Sequence, residues 1–279
     1  MRFVKNPGAT LRDLMTQKTV MCPGAWNGLV AKAIAQTDFQ ACYISGGATA
    51  NSVGHPDIGL ISLSEMCVKI REITSACNLP VIVDADTGYE NISQTIVEYE
   101  KTGAAGMHVE DQVFPKRCGH LEGKELITTE DMSAKLSLAV KSRSDSNFII
   151  IARTDARGVD GLDAAIERGL AFREAGADMI IPEGLHSKRE FETFAEGCPG
   201  LLLANMTEFG KTPFLGVDEF ANIGYQLVIY PITMQRVAMN AVIKSLSKLK
   251  DAGSAESFVD KMQTRAELYK MLEYSPEVD

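Results

Sequence analysis

Residues 174–184, EAGADMIIPEG, and residues 101–111, KTGAAGMHVED, follow one plan: a helix end, a glycine among small residues, an apolar strand, and an acidic residue where the strand stops. Gly103 and Gly176 stand where a left-handed C-cap is expected before the chain enters its next strand. The strand in the first segment, and FIIIA at 148–152, are apolar without alternation, which suits strands buried on both faces of a parallel sheet. Working outward, short runs rich in Val, Ile, Leu and Ala recur at 19–24, 41–45, 80–84, 106–110, 147–153, 178–183, 200–205 and 226–231. Each is bounded by Gly, Pro or Asn and followed by helical spacing. Eight such units predict a (β/α)8 barrel over about 15–235, with helices at 233–250 and 254–273 as a C-terminal extension of a single domain spanning 1–279. A doubly wound open sheet is the competing architecture, yet no G-x-G-x-x-G follows the first strand.

The composition narrows the class of partner. The 279 residues carry 28 Lys and Arg against 37 Asp and Glu, a net charge of −9, with 45 % hydrophobic residues. That balance argues for a folded chain with a substantial core. With no run of basic residues there is no electrostatic footprint for nucleic acid or an acidic membrane. Residues 1–19 mix Arg2, Lys5, Arg12, Asp13 and Lys18 with no continuous apolar stretch, so no secretory signal is expected there. No apolar run approaches the ~20 residues a membrane span requires. The six cysteines, Cys22, Cys42, Cys67, Cys77, Cys118 and Cys198, are scattered singly, which points to reduced thiols in a cytoplasmic protein rather than to zinc pairs or a disulfide scaffold.

In a barrel the strand exits converge on one mouth, where barrel enzymes place their chemistry. Here the exits are polar: Ser45-Gly46-Gly47, Asp84 and Asp86, Glu110-Asp111, Arg153 and Asp155, Glu183, Asn205 and Thr207, and Tyr230-Pro231. In PVIVDADTG an extended backbone would project Asp84 and Asp86 to the same side. With Glu110 they form an oxygen-rich cluster suited to a hard divalent cation such as Mg2+, although any one of these acids can instead cap a helix or pair with Arg. The segment 115–124, PKRCGHLEGK, sets Lys116, Arg117, Cys118 and His120 among the glycines Gly119 and Gly123. It reads as a closing lid whose cations lower the thiol pKa, or else as a solvated basic turn with an incidental cysteine. Arg153, Arg236 and Arg265 suit carboxylates or phosphates, although singly each reads as a surface ion-pairing residue. His108, within GMHVE, reads as a core histidine, and no acid–base partner is assignable to it or to His55.

YISGG (43–47), DADTG (84–88), VEDQ (109–112), KRCGH (116–120), ARTDA (152–156), PEG (182–184), NMTEFG (205–210) and MQTRAELY (262–269) together carry a resemblance. Through nearly its whole length the chain resembles the isocitrate lyase and phosphoenolpyruvate mutase superfamily, in its methylisocitrate lyase branch; the mutase branch lacks the KRCGH loop. The resemblance implies cleavage of 2-methylisocitrate to pyruvate and succinate, in the methylcitrate cycle of propionate catabolism, with Mg2+ or Mn2+. It makes Asp84 and Asp86 the metal site, with Asp57 and Glu110 acting through water. Cys118 becomes the acid that protonates the succinate aci-carboxylate, tuned by Lys116, Arg117 and His120 on the gating loop, and Tyr43 the group that manages the substrate hydroxyl proton. Arg153 joins these as a catalytic residue, and Ser45, Gly46, Gly47, Gly119, Glu183, Asn205, Met206, Thr207, Arg236 and Arg265 become contacts to a di- or tricarboxylate. It further implies a homotetramer whose C-terminal helices swap between barrels. Gly184, where the branch has Ala, and HLEGKEL (120–126), shared with dimethylmalate lyases and oxaloacetate hydrolases, keep 2,3-dimethylmalate and oxaloacetate as alternative substrates. Pro231 favours a lyase over the hydrolase, and NMTEFG argues against unmethylated isocitrate. A barrel that only binds a dicarboxylate is the remaining reading, and it predicts a damaged site where this one is intact.

Overall fold

The computed structural model describes residues 4–276. Eight strands run in chain order: β1 (Val20–Pro23), β2 (Cys42–Ile44), β3 (Val81–Asp84), β4 (Gly106–Glu110), β5 (Ile149–Thr154), β6 (Met179–Pro182), β7 (Leu203–Asn205) and β8 (Leu227–Tyr230). Each lies inside one of the apolar runs read from the sequence, except that β5 extends one residue beyond its run, to Thr154. The helices are α1 (Pro7–Gln17), α2 (Gly28–Gln36), α3 (Gly46–Ser52), α4 (Leu63–Ala76), α5 (Ile92–Lys101), α6 (Thr129–Ser142), α7 (Leu162–Glu174), α8 (Lys188–Gly197), α9 (Val217–Ile223), α10 (Thr233–Ala252) and α11 (Arg265–Met271).

All strand pairs are parallel. β2 to β6 hydrogen-bond in sequence order, β7 and β1 flank β8, and the single bridges Gly24–Tyr43 and Ile180–Leu202 join the two groups into a ring. A side chain at position 24 would collide with the Pro231 carbonyl, so glycine is what lets β1 meet the exit of β8. Gly103 and Gly176 have φ of 81° and 103°, the left-handed caps expected of them.

Strand alternation divides the core in two. Cys42, Ile44, Val81, Val83, Val109, Ile150, Ala152, Ile180 and Val228 face outward beneath the helices. Tyr43, Ile82, Ile149, Ile151, Met179, Ile181, Leu203, Leu227 and Ile229 fill the interior. Where the strands begin, that interior layer is closed by Leu11 and Met15 of α1, ahead of the expected start near residue 15. The same helix is anchored by Arg12, which bonds the Asn147 carbonyl at 3.1 Å and Asp178 at 2.8 Å, below β5 and β6.

The helix expected at 254–273 is two pieces, a 3-10 turn at Glu256–Lys261 and then α11. Thr264 interrupts it because its side chain and that of Glu267 bond each other's backbone N–H, starting a new helix at that point. α10 matches its expected range, but only Gln235 of its residues is buried, and Val237, Val242, Ile243, Leu246 and Leu249 leave an apolar face open. No helix among the described residues is long and apolar enough to cross a membrane.

Candidate active site

The alternation that packs Tyr43, Ile82, Ile151, Ile181 and Leu203 inside the barrel carries two residues further to Ser45, Asp84, Arg153, Glu183 and Asn205. On β4 the inward positions are His108 and Glu110, paired in register with Asp84 of β3 and Arg153 of β5. A charged layer therefore lies directly above an apolar one, and within it Glu110 and Glu183 share the Arg153 guanidinium. Arg153 places Nη1 3.2 Å from Glu110 Oε2, gives Nε to Asp155 Oδ2 at 2.9 Å, and has Glu183 Oε2 at 3.6 Å. Glu183 also accepts from Asn205 Nδ2, 3.1 Å from each carboxylate oxygen. Burial opposes the charge on Glu183, but Arg153, His120 and Asn205 outweigh it and hold this carboxyl well below the usual range.

Asp84 and Asp86 do converge, though not through an extended backbone. Asp86 takes a left-handed φ of 47°, and its N–H folds back onto Asp84 Oδ1 at 2.9 Å. Gly46 N–H donates to Asp84 Oδ2 at 3.0 Å, and a Cβ on Gly46 would sit 3.0 Å from Asp86 Oδ1. Ser45 caps α3 by accepting from the Ala48 N–H at 3.2 Å, and Gly47 lies against the Asp57 carboxylate. Burial, and then Asp84, push Asp86 up to about 6, while burial with no aligned donor raises Glu110 well above its ordinary value. Neither Glu110 oxygen has an aligned donor, and Asp86 Oδ1 faces only the Lys116 ammonium, 2.9 Å away.

This buried set of carboxylate oxygens, richer in acceptors than in aligned donors, fits a hard divalent cation held by Asp84 and Asp86, with Asp57 and Glu110 further out. Among the described residues no three His, Cys, Asp or Glu side chains close around an ion unaided. The remaining positions would fall to water and substrate, the usual habit of Mg2+.

Tyr43, in the middle of β2, places its hydroxyl 2.7 Å from His108 Nε2, with the two rings stacked. His108, read from sequence as a core residue, is thus the partner of the candidate proton carrier, and it lies 3.6 Å from Asp84 Oδ1. Burial raises the Tyr43 phenol and lowers the His108 imidazole, so both are neutral near pH 7.

The segment 113–125 lies across the mouth. Lys116 reaches in between Asp57 and Asp86, 2.9 Å from Asp86 Oδ1. Gly119 packs so tightly on Arg153, Glu183 and Asp155 that no side chain would fit. His120 Nε2 lies 2.9 Å from Glu183 Oε1 while Nδ1 accepts from the Lys211 N–H at 3.1 Å. Arg117 is exposed, and its backbone is pinned by reciprocal bonds of 2.9 Å to the Gln112 amide. The expected lowering of the Cys118 thiol is therefore corrected. The neighbouring cations are committed elsewhere, burial dominates, and the thiol is raised and stays protonated. Cys118 is half-buried, whereas the other five cysteines are buried and unpaired.

Three expected contacts sit apart from this layer. Arg236 is at the rim, 3.4 Å from Glu208 and over the Phe209 ring. Thr207 lies on the loop after β7, whereas Met206 is buried and bonds the Ile229 carbonyl. Arg265 is exposed at the start of α11, which packs on α2 and receives a bond from Gln36, the residue that ends α2, so within one chain it is not brought to the mouth.

Sequence reasoning missed Lys124 and, although it named Asp155 among the polar strand exits, gave that residue no role; their buried 2.8 Å pair lies under the lid. Asp155 had a signal, as a charge one residue beyond β5; Lys124 had none, because a lysine in a polar loop reads as solvated.

A family model described as phosphoenolpyruvate phosphomutase matches residues 11–250. The chain is 48 % identical over 256 residues to a probable 2-methylisocitrate lyase of Corynebacterium glutamicum, covering 90 % of this chain and 84 % of that one. A 2-methylisocitrate lyase of Aeropyrum pernix is 46 % identical over 275 residues, 97 % of this chain and 89 % of that one. A 2,3-dimethylmalate lyase of Eubacterium barkeri is 41 % identical over 272 residues, 96 % and 94 % of the two chains. Among solved structures, oxaloacetate acetylhydrolase with 3,3-difluorooxalacetate superposes with a TM-score of 0.91 at 31 % identity, over 97 % of this chain and 94 % of that one. A 2,3-dimethylmalate lyase, described as a PEP mutase/isocitrate lyase superfamily member, gives 0.90 at 33 %, over 97 % and 92 %. Phosphonopyruvate hydrolase with oxalate and Mg2+ gives 0.86 at 27 %, over 96 % and 95 %.

Proposed function

The chain belongs to the phosphoenolpyruvate phosphomutase family, in the superfamily that includes isocitrate lyase, and from that premise we propose that it is a carbon–carbon lyase cleaving 2-methylisocitrate to pyruvate and succinate. The observation that carries this reading is a protonated, half-buried thiol on a lid whose next residue, Gly119, rests on the Arg153–Glu183 pair.

The substrate hydroxyl gives up its proton toward Tyr43. Neutral Tyr43 accepts it while passing its own proton to His108 Nε2, 2.7 Å away. The electrons of the O–H bond become the carbonyl of pyruvate, and the bond to the adjacent carbon breaks. That carbon keeps the electron pair, conjugated with its carboxylate, and the Cys118 thiol protonates it to complete succinate. The proton held by the Tyr43–His108 pair then restores the thiol, so the cycle balances. Arg153 supplies positive charge in a dry site where it needs no reorganisation. Asp84 and Asp86, with Asp57 and Glu110 behind them, would hold a divalent cation, which when bound would stabilise the negative charge that develops on the substrate oxygens.

Gly184 has φ of 70°, which suits glycine, and a Cβ there would make only an ordinary 3.7 Å contact with the Gly119 carbonyl, so the seat of the lid leaves room for the Ala expected at this position. The same reading assigns the open apolar face of α10 to neighbouring copies in a helix-swapped homotetramer, the route by which Arg265 would reach a mouth; light scattering that reads a lone chain would overturn it. Six unpaired cysteines suit a reducing, cytoplasmic compartment, and the proposed substrate would place the enzyme in propionate catabolism. The deciding experiment follows pyruvate release from 2-methylisocitrate and 2,3-dimethylmalate, glyoxylate release from isocitrate and oxalate release from oxaloacetate, each with Mg2+ and again with EDTA. Preference for 2-methylisocitrate, abolished by EDTA, is expected. Preference for 2,3-dimethylmalate would move the assignment to that lyase, and silence on all four would leave a dicarboxylate-binding barrel.

A further inference from the structure

Lys124 lies on the return arm of the lid, and its side chain is 3 % exposed. Its ammonium donates to the Gly119 carbonyl at the tip of the same lid and to Asp155 Oδ1 at 2.8 Å. Asp155 is itself fully buried and grips Arg153 through Nε at 2.9 Å and Nη2 at 3.1 Å. Gly158 leaves room for this arrangement, since a Cβ there would come within 3.2 Å of the ammonium. The lid has a second ion pair, Lys211 with Glu122, but Glu122 is 78 % exposed, and water screens such a pair to little value.

We propose that Lys124 is a positioning residue that latches the lid shut. Its bond to Asp155 lies between the return arm and the floor, whereas its bond to Gly119 forms only when the tip is down. One buried ammonium therefore couples the tip, one peptide from the Cys118 thiol, to the carboxylate that orients Arg153. A hydrogen bond from a charged donor shielded from water is among the stronger single contacts available, enough to set the balance between closed and open lid. This inference rests on the lyase reading for its kinetic consequence but not for its structural one.

The test is Lys124→Met, read by alkylation of Cys118 with iodoacetamide and by kcat for pyruvate release. Asp155 keeps Arg153 in the variant, so no buried charge is stranded and the protein is expected to fold. Should it not, Lys124→Gln, whose amide still donates to Asp155, carries the same comparison. Loss of the latch is expected to speed alkylation of Cys118 about tenfold or more and to lower kcat by a similar factor, the scale of one charged hydrogen bond. The five buried cysteines should stay unreacted in the folded variant while Cys118 alone speeds up; a merely structural role for Lys124 would lower the melting temperature without that selective gain. Alkylation within twofold of the parent protein overturns the latch, whatever happens to kcat. If the parent protein cleaves none of the four acids, the lyase reading fails and the alkylation rates still decide the latch.

Discussion

The two ends of this barrel are built from the same strands and differ in almost everything else. Where the strands begin, Leu11 and Met15 of α1 close an interior of Val20, Ala41, Ala105, Ile149, Met179 and Leu227, and no charge enters that layer. Where they end, the same inward positions are occupied by Asp84, Glu110, Arg153 and Glu183, with the lid laid on top. Burying apolar surface stabilises without direction, so the closed end tolerates any packing that fills it. Burying charge is costly unless partners are placed to within hydrogen-bond distance, so the mouth works only in one arrangement. The closed end supplies the stability that holds the mouth in that arrangement, a division that separates what the two ends contribute when each is damaged.

The largest effect should come at the mouth. Cys118→Ser is expected to lower turnover by about 10²–10⁴-fold, the usual worth of a general acid, with melting temperature and succinate affinity nearly unchanged. Calorimetry showing product affinity lost in parallel with turnover would mean that the thiol holds the ligand rather than protonating it. At the other end, Leu11→Ala removes a fully buried side chain and should cost about 2–5 kcal/mol in urea unfolding while leaving kcat within twofold. A collapse of kcat in folded Leu11→Ala protein would break the separation between the ends. The smallest effect is on pH. Because burial raises the Cys118 thiol, its acidic form persists as pH climbs, and activity should fall only above the ordinary thiol value of about 8.5. An alkaline limb below that value would show that the lid cations govern the thiol after all.

The charged floor was legible because β-strands alternate. Once eight apolar runs imply a barrel, the acids and Arg at their exits must converge, and Asp84, Glu110, Arg153 and Glu183 do so. His108 carried the same signal, sharing the parity of Glu110 on β4, but its apolar neighbours argued for packing. The lid was less legible. Its glycines and cysteine marked it, yet the partners of its charges lie far off in sequence: Lys116 with Asp57, His120 with Glu183, Lys124 with Asp155. That is why the thiol was expected to be lowered and is instead raised, for proximity along the chain was taken for proximity in space.

By itself, then, the sequence determined the barrel, its strand positions and the chemical character of the mouth, because periodicity and residue type act locally and repeat. Only the tertiary structure decided which charges pair, that Asp86 turns through a left-handed residue to meet Asp84, that Tyr43 has His108 for a partner, and that Lys124 is buried under the lid. Those outcomes depend on distances between segments that no local pattern encodes, and on desolvation, which exists only once the chain has closed over its own charges.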